Sequence, residues 1–402
     1  MSSNPDFTLP LDLPLVPNLS RSHYPVRHTV KGIVGLVLAV ALAVWSHPPL
    51  AVAQSTRPDW QAEWDKVLEA AKKEGKVVVS VPASSELRKK MEETFEKRFP
   101  GIDLELLPAR GASNINRILE ESKAGVHYFD VHIGGTNSMV TGLLPAKVLE
   151  SIAPLMILPE VKETKNWWAG HIWADRAQQY IYMFQAYLTE TLWYNAQALK
   201  AEEVTSYDDL LRPAFKGRIA MLDPRTPGSG DSTWGFLWSI KGEEYLKKLA
   251  EQKLILGRNQ RQLAESLAKG KAVLSIGLSY YVYLPFVQAG LPVKSLGALK
   301  EGIYGSSGSG NLAVLKDAPH PNAKRLFVNW LLSREGQEIF SRAMGQATRR
   351  FDVDTSWTKE YGHISAKEVL SPERFFALEN QSEEKIDKVR KPAAALARKL
   401  LD

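Results

Sequence analysis

The chain of 402 residues is long enough for two domains, and its 44% hydrophobic and 24% charged residues are typical of a globular protein. Its net charge of +6 is scattered along the sequence, which argues against a nucleic-acid-binding protein with a basic stripe. The sequence contains no cysteine, which excludes disulfides and thiolate metal sites, so the fold must be stabilised by its own core.

The first 53 residues have the pattern of a leader that ends in a secretory signal. Arg27 and Lys31 precede an apolar run over residues 33–44, and small residues follow at 51–53. A positive flank, a short apolar core and a small-residue cleavage site together indicate a signal peptide. The apolar run is shorter than the roughly 20 residues of a membrane span. We therefore expect cleavage after Ala53 and a periplasmic location, with a retained signal anchor as the alternative.

Strands and helices alternate in the first half of the remaining chain. Helices are predicted over 60–74 and 86–99, and apolar strands over 76–81, 102–107 and 128–133. This β-α-β-α-β order predicts a mostly parallel sheet with helices on both faces.

A second α/β unit follows an aromatic segment at 180–194, which reads as one or two extended strands. Further strands are predicted at 219–222, 273–276 and 312–315. Helices are predicted at 233–240, 243–251, 260–269, 323–332, 335–343 and about 382–401. The sequence therefore indicates two similar architectures without an internal sequence repeat.

The turn after the strand at 219–222 is the clearest candidate for a binding loop. It carries Arg225, Thr226, Gly228 and Ser229, and it ends in three residues that are good N-caps, Asp231, Ser232 and Thr233. A glycine-rich turn that leads into a helix presents free N–H groups and the positive end of the helix dipole to an anion. The alternative is an ordinary connection between a strand and a helix.

Several short sequence landmarks follow one another along the chain after the leader. They are Leu192-Trp-Tyr-Asn195, Phe215-Lys-Gly-Arg-Ile-Ala220, Asp223-Pro-Arg-Thr-Pro-Gly-Ser-Gly230, Ala318-Pro-His-Pro-Asn-Ala323 and the segment 327–337. The chain resembles the group of extracellular solute-binding proteins that includes the ferric-ion-binding proteins, over nearly its whole length after the leader.

The resemblance implies a type II periplasmic-binding fold with two α/β lobes, each a mostly parallel sheet flanked by helices, joined by crossover strands. Lobe 1 would comprise 54–190 with 303–345 returning to it. Lobe 2 would comprise 191–302, with the C-terminal helices of 346–402 packed on it. We expect a monomer that delivers its ligand to an inner-membrane ABC permease.

Ligands of open α/β sheets bind outside the carboxyl ends of the strands. Applied to both lobes, this rule selects loop residues with hydroxyl, amide or backbone N–H groups. They are Ser84, Ser85, Gly135, Thr136, Asn137, Arg225, Thr226, Gly228, Ser229, Tyr280 and Tyr281.

Tyr280 and Tyr281 bear on the identity of the ligand. In ferric relatives two adjacent tyrosines at this place ligate Fe³⁺, a hard cation that favours oxygen donors. The histidine and glutamate that such relatives often add are missing from the loops at 84–85 and 134–137. His132 lies within a strand, where we expect it to be packed. Two ligands therefore remain open, a ferric ion with a co-bound anion and a small organic anion, and the tyrosines would line the cleft in the second case.

The sequence offers no motif of a metalloprotease, a serine hydrolase or a phosphate-loop nucleotidase. We therefore expect a binding protein rather than an enzyme. The alternatives are an exported enzyme on the same two-lobe fold and a binding protein that senses its ligand for signalling.

Overall fold

The computed structural model describes residues 58–109, 113–189, 192–361 and 363–401. The predicted leader and signal peptide at 1–53 lie outside these ranges. Within them, no helix combines the length and the apolar character of a membrane span.

The strands are short, and we number them in chain order. They are β1 (Lys76–Pro82), β2 (Asp103–Ala109), β3 (Val131–Gly134), β4 (Leu149–Glu150), β5 (Tyr182–Met183), β6 (Tyr187–Thr189), β7 (Leu192–Asn195), β8 (Ile219–Leu222), β9 (Ile255–Gly257), β10 (Leu274–Ile276), β11 (Val293–Ser295), β12 (Tyr304–Ser306), β13 (Asn311–Leu315) and β14 (Ile364–Ser365).

The α-helices are numbered in the same way. They are α1 (Asp59–Glu74), α2 (Ser85–Arg98), α3 (Ser113–Lys123), α4 (Thr136–Ser138), α5 (Pro159–Lys162), α6 (Ser229–Ala250), α7 (Gln260–Ala268), α8 (Leu284–Gln288), α9 (Pro321–Leu332), α10 (Arg334–Met344), α11 (Ala366–Val369), α12 (Pro372–Leu378), α13 (Glu383–Lys385) and α14 (Lys391–Leu401). Short 3-10 or π turns lie at Met139–Leu143, Ala153–Leu155, Thr164–Asn166, Ala201–Glu203, Tyr207–Leu211, Pro213–Phe215, Tyr280–Val282, Ser356–Tyr361 and Ile386–Arg390.

The strands form two larger sheets, which define the two lobes, and one small sheet between them. The lobe 1 sheet has the order β2-β1-β3-β13-β4, with β5 also paired to β13. The lobe 2 sheet has the order β11-β7-β10-β8-β9. The small sheet, β12-β6-β14, contains both segments that pass between the lobes, and we call it the hinge sheet. The predicted α/β fold with two lobes and crossover strands is confirmed.

Parallel pairing forms the centre of each large sheet. β1 is parallel to β2 and β3, and β8 is parallel to β9 and β10. β13, which returns from lobe 2, pairs antiparallel to β3. Since β1 and β8 are buried over most or all of their length, they read as continuous apolar runs in the sequence.

Each lobe has its own core. In lobe 1, Phe95, Phe327 and Trp330 pack against the valines of β1. In lobe 2, Met221 and Trp234 belong to a separate cluster between the sheet and α6. Two separate cores are an arrangement that permits one lobe to move relative to the other.

The C-terminal segment differs from the prediction that all of 346–402 packs on lobe 2. The buried guanidinium of Arg349 donates to the carbonyl oxygens of Met183, Trp168 and Gly170 in lobe 1, at 2.6–2.7 Å. β14 joins the hinge sheet through β6. The end of the segment lies on lobe 2, where Trp234 Nε1 donates to the Ala393 carbonyl oxygen at 3.0 Å and Arg390 donates to Asp231. Long-range hydrogen bonds of this kind have no periodic signature in the sequence.

Candidate ligand site between the lobes

A direct hydrogen bond joins the facing edges of the two lobes. β3 of lobe 1 leads into α4, which places Thr136 and Asn137 at the carboxyl edge of its sheet. In lobe 2, β8 leads through a turn into α6, whose first turn contains Asp231. Asn137 Nδ2 donates to Asp231 Oδ2 at 2.5 Å, and both side chains are buried. The predicted loops at 135–137 and 228–229 therefore do lie at the interface between the lobes.

Helix α6 begins four residues earlier than predicted, at Ser229, and Gly228 is its N-cap. Asp231 and the two residues after it therefore lie inside the helix instead of capping it. The early start depends on Gly230, because a Cβ at that position would lie 2.3 Å from the Leu222 carbonyl oxygen.

The N-terminus of α6 presents backbone donors to the interface between the lobes. The N–H groups of Ser229, Gly230 and Asp231 have no hydrogen-bond acceptor in the described parts of the chain. The first N–H groups of a helix have no partner inside the helix, and the dipole favours negative charge near them. This end of α6 can therefore accept an anionic group.

The C-terminal segment supplies the counter-charge at this interface. Arg390 donates to Asp231 Oδ2 from Nε at 2.9 Å and from Nη2 at 2.5 Å, and both side chains are about 2% exposed. Burial raises the pKa of the Asp231 carboxyl, and the positive charge of Arg390 opposes this shift. The buried pair holds the carboxylate against the first turn of α6.

The same segment also contacts lobe 1. Thr136 Oγ1 donates to Gln381 Oε1 at 3.2 Å, while Asn380 Nδ2 donates to the Ser232 carbonyl oxygen at 2.8 Å. Gln381 is therefore bonded to lobe 1 while its neighbour Asn380 is bonded to α6 of lobe 2. A single stretch of chain connects both lobes next to the N-terminus of α6.

Arg225, the predicted anion contact of the turn, is engaged elsewhere. Its Nε donates to Asp223 Oδ1 at 2.8 Å, and its Nη1 donates to the Leu401 carbonyl oxygen at 2.8 Å. Thr226 Oγ1 donates to the Asp223 carbonyl oxygen at 3.3 Å, which also closes the turn. In this structure the guanidinium fastens the turn to the C-terminal helix, and a contact of Arg225 with an anion stays a prediction. The buried arginine at the interface is Arg390.

The serines after β1, predicted to bind ligand, lie at the start of α2. Ser84 is the N-cap of α2, and its hydroxyl accepts a hydrogen bond from the Leu87 N–H at 3.2 Å. Ser85 is the first residue of that helix and is exposed. The two residues serve the start of α2, so nothing in their contacts brings them to Asn137 or Asp231. Gly135, the N-cap of α4, is exposed beside Thr136.

Tyr280 and Tyr281 follow β10 and pack on different parts of the molecule. The ring of Tyr280 lies 4.4 Å from the ring of His363 and 5.8 Å from that of Trp193, measured between centroids. Gly345 leaves room for it, since a Cβ there would lie 2.5 Å from the Tyr280 ring. Tyr281 packs against the core of lobe 1. Both tyrosines therefore lie between the lobes, where they form aromatic walls.

Several buried polar atoms near this interface have no hydrogen-bond partner among the described residues. They are His132 Nε2, Gln185 Oε1, Asp231 Oδ1, Ser307 Oγ, Asn311 Oδ1 and both ring nitrogens of His363. Most buried polar groups in proteins are satisfied, and an unsatisfied one calls for an explanation such as a ligand or a water molecule. Their grouping around the carboxyl edge of β3 and the start of β13 indicates a polar binding site.

His132 illustrates how a strand residue contributes to this edge. Its Nδ1 lies 2.8 Å from Ser80 Oγ, and Ser80 Oγ accepts a hydrogen bond from Asn114 Nδ2 at 2.8 Å. Burial lowers the pKa of His132 to about 4, so the ring is neutral at pH 7. As expected from its place within a strand, His132 is packed.

Comparison with known proteins supports the same architecture. Residues 174–345 match the sequence profile of the family described as bacterial extracellular solute-binding protein. An uncharacterized protein of Haemophilus influenzae is 28% identical over 141 residues, which are 33% of this chain and 38% of that protein. The chain thus spans little more than a third of the length of that relative in sequence.

Solved structures extend the similarity over most of the chain. Iron-bound HitA from Pseudomonas aeruginosa superposes with a TM-score of 0.60 at 18% identity, covering 81% of this chain and 99% of that one. The periplasmic binding protein AfuA from Actinobacillus pleuropneumoniae, with fructose-6-phosphate bound, gives 0.58 at 19% identity, covering 81% and 99%. This chain has the fold of the two-lobe periplasmic binding proteins. The resemblance inferred from the sequence is confirmed.

The residues that sequence reasoning missed in this periplasmic-binding fold are Gln381, Arg390 and His363. All three follow residue 345, where the match to the family profile ends. They lie in a polar segment without a binding motif, and only its folding back between the lobes brings them to α6 and Tyr280. No signal in the sequence alone could have selected them.

Proposed function

We propose that this protein is the solute-binding component of an ABC importer and that it holds a small anionic solute between its two lobes. Two observations carry the proposal: buried polar atoms at the edges of both lobes that have no partner among the described residues, and the free N–H groups at the start of α6. Donors at a helix N-terminus suit a phosphate or carboxylate group, and the remaining atoms suit the polar body of a solute.

Direct contact between the lobes supplies a mechanism for capture. The Asn137–Asp231 hydrogen bond forms only when the two sheet edges meet. A solute that contacts both edges would shift the population toward this closed arrangement, because its contacts are complete only there. The closed form would then be recognised by a permease in the inner membrane, after export of the chain to the periplasm. The fold relatives are binding proteins, which agrees with capture rather than catalysis.

Ferric iron is the second candidate, and Tyr280 and Tyr281 are its only predicted ligands in this chain. Within the described residues, no group of three or more His, Cys, Asp or Glu side chains is placed to hold a metal ion. Iron would therefore need both phenolates and a co-bound anion at the start of α6. An anion that binds without metal needs no ligand from the buried Tyr280, so we favour a solute without metal.

The proposal is tested by purifying the full chain and measuring its bound molecules by native mass spectrometry and metal analysis. We expect a small anion, and a rise in melting temperature when phosphate esters are added. Asn137→Ala should weaken binding of that anion at least about tenfold, equivalent to 1.4 kcal/mol. Asn166→Ala is the matched control, because Asn166 Nδ2 donates to the Glu160 carbonyl oxygen on the surface of lobe 1.

Each other outcome contradicts part of the proposal. An iron-loaded protein whose visible absorbance disappears in Tyr280→Phe and Tyr281→Phe would replace the anion by ferric iron. Chemical turnover of the bound compound would establish an enzyme. A chain that neither carries nor is stabilised by any anion or metal would overturn the solute-binding proposal.

A further inference from the structure

A buried histidine from the C-terminal segment lies in an aromatic slot between the hinge sheet and lobe 2. The imidazole of His363 stacks on the ring of Tyr187 from β6, with centroids 4.9 Å apart and planes inclined by 16°. On its other side the Tyr280 ring lies at 4.4 Å, inclined by 57°. The two rings hold the faces of the imidazole, so only its edge with the two nitrogens can make hydrogen bonds.

Neither ring nitrogen of His363 has a partner among the residues that the structure describes, although the side chain is only 1% exposed. Burial lowers the pKa of His363 to about 3, so the ring is neutral at physiological pH. A buried donor or acceptor left unpaired is destabilising, commonly by about 1–3 kcal/mol. The unliganded protein is therefore less stable with a histidine in this slot than it would be with an apolar side chain of the same shape.

Two more atoms with the same property belong to Ser307, on the segment that connects β12 to β13, and to Asn311, the first residue of β13. Ser307 Oγ and Asn311 Oδ1 are buried and unpaired in the described chain. The orientation of Asn311 is fixed, because its Nδ2 donates to the carbonyl oxygens of Gly134 at 2.8 Å and Gly308 at 3.2 Å. Its Oδ1 can thus only accept a hydrogen bond.

Gly308 connects this segment to the aromatic slot. A Cβ on Gly308 would lie 2.2 Å from the Tyr187 hydroxyl, so the backbone of the segment closely approaches the ring that stacks on His363. The unpaired groups are a neutral imidazole with one donor and one acceptor, a hydroxyl and an amide oxygen. None of them carries a charge. A hydroxyl group of a ligand can form a hydrogen bond with an imidazole, a hydroxyl or an amide oxygen, because it both donates and accepts.

We infer that the His363 imidazole binds a hydroxyl group of the solute, and that the solute is a hydroxylated small anion such as a polyol or sugar phosphate. This inference rests on the proposed function, because it assumes that the anionic group lies at the start of α6. His363 then determines specificity for the uncharged body of the solute.

The test compares phosphate esters that differ in their hydroxyl groups. Titration calorimetry would measure the full chain with glycerol 3-phosphate and fructose 6-phosphate, and with propyl phosphate, which has no hydroxyl on its carbon chain. We expect at least one hydroxylated ester to bind ten times or more tightly than propyl phosphate. In His363→Phe this preference should disappear, while the affinity for propyl phosphate stays within twofold.

Two further measurements exclude a merely structural role for His363. Because phenylalanine has no buried nitrogen to satisfy, His363→Phe should melt at a higher temperature than the wild type in the absence of ligand. His363→Gln, which keeps one donor and one acceptor, should retain part of the preference. The exposed His127→Phe is the matched control and should change neither property.

A failure of the proposed anion site and a failure of the His363 inference would give different results. A wild-type chain that binds none of the three esters would overturn the proposed anion site itself. If all three esters bind equally well, or if His363→Phe keeps the preference, the anion site stands and only the role of His363 is wrong.

Discussion

Two arginine–carboxylate pairs in lobe 2 differ in almost every respect although only a few residues separate their carboxylates. Arg225 pairs with Asp223 two residues away, inside one turn, and its side chain is 24% exposed. Arg390 pairs with Asp231 across 159 residues of sequence, and both side chains are about 2% exposed. The first pair closes a loop, and the second joins the C-terminal segment to the helix that faces lobe 1.

The contrast shows that a functional arginine is identified by its surroundings rather than by its place in a motif. Asp223 also accepts a hydrogen bond from Arg258 Nε at 3.2 Å, so the turn keeps a second cation if Arg225 is lost. Asp231 has Asn137 as its other partner, and that residue belongs to lobe 1. Removing Arg390 would leave a buried carboxylate without a counter-charge at the interface between the lobes.

The largest expected effect is on stability. Arg390→Ala should lower the free energy of unfolding by about 3–5 kcal/mol, because it leaves the Asp231 carboxylate buried and unpaired. Arg225→Ala should cost about 1 kcal/mol or less, since its pair is partly exposed and Arg258 remains. Urea unfolding of both variants measures the difference. Equal losses would remove the distinction between the two pairs.

A second, smaller effect concerns pH. Burial opposes ionisation of Asp223, but the hydrogen bonds from Arg225 outweigh it and lower the pKa of this carboxyl below its usual value of 3.8. A lowered pKa stabilises the folded state above the unfolded pKa, and this contribution is lost as the pH falls through the folded value. Asp223→Asn should therefore cost about 1.5 kcal/mol at pH 7.

The same loss should shrink as the pH falls from 3.8 through the lowered pKa of the folded state, because the wild-type carboxyl then also becomes protonated. Urea midpoints at pH 7, 5 and 3 follow this change. The exposed Glu338→Gln serves as the control and should show a small, constant difference at each pH. A cost of Asp223→Asn that is equally large at pH 7 and pH 3 would mean that the carboxylate charge does not stabilise the turn.

The smallest effect is the response to salt. Exposed charges are screened within about 3 Å in 1 M salt, whereas buried pairs are screened much less. The cost of Arg225→Ala in urea should fall by half or more between 0.05 and 1 M sodium chloride. The cost of Arg390→Ala should stay constant within error. A strong salt dependence for Arg390→Ala would show that water reaches the interface between the lobes.

Regular elements were predictable where local patterns decide them. β1 and β8 read as continuous apolar runs, and α1 ends where Gly75 adopts a left-handed conformation and donates to the Ala71 carbonyl oxygen. The sequence predicts the start of α6 four residues too late, because Asp231 and the residues after it have the pattern of N-caps. The decisive contact there is the close approach of Gly230 to β8, which depends on the packing of the helix and not on capping preference.

The candidate site was predictable only in part. The rule that ligands bind at the carboxyl ends of strands correctly brought Asn137 and the start of α6 to one interface. It could not show that Ser84 caps α2 or that Arg225 closes its own turn. The Ser84 hydroxyl and the Arg225 guanidinium both bond to residues nearby in sequence. Such local partners compete successfully for polar side chains because forming the bond orders little additional chain.

The sequence by itself determined the α/β class, the order of the two lobes and the loops from which a site could be built. These follow from periodicity and turn residues, which act over a few positions. Only the tertiary structure decided that Gln381, Arg390 and His363 complete the interface. The reason is physical: burial and hydrogen bonding join residues that are far apart in sequence, and no short-range pattern encodes which of many polar side chains will be buried together.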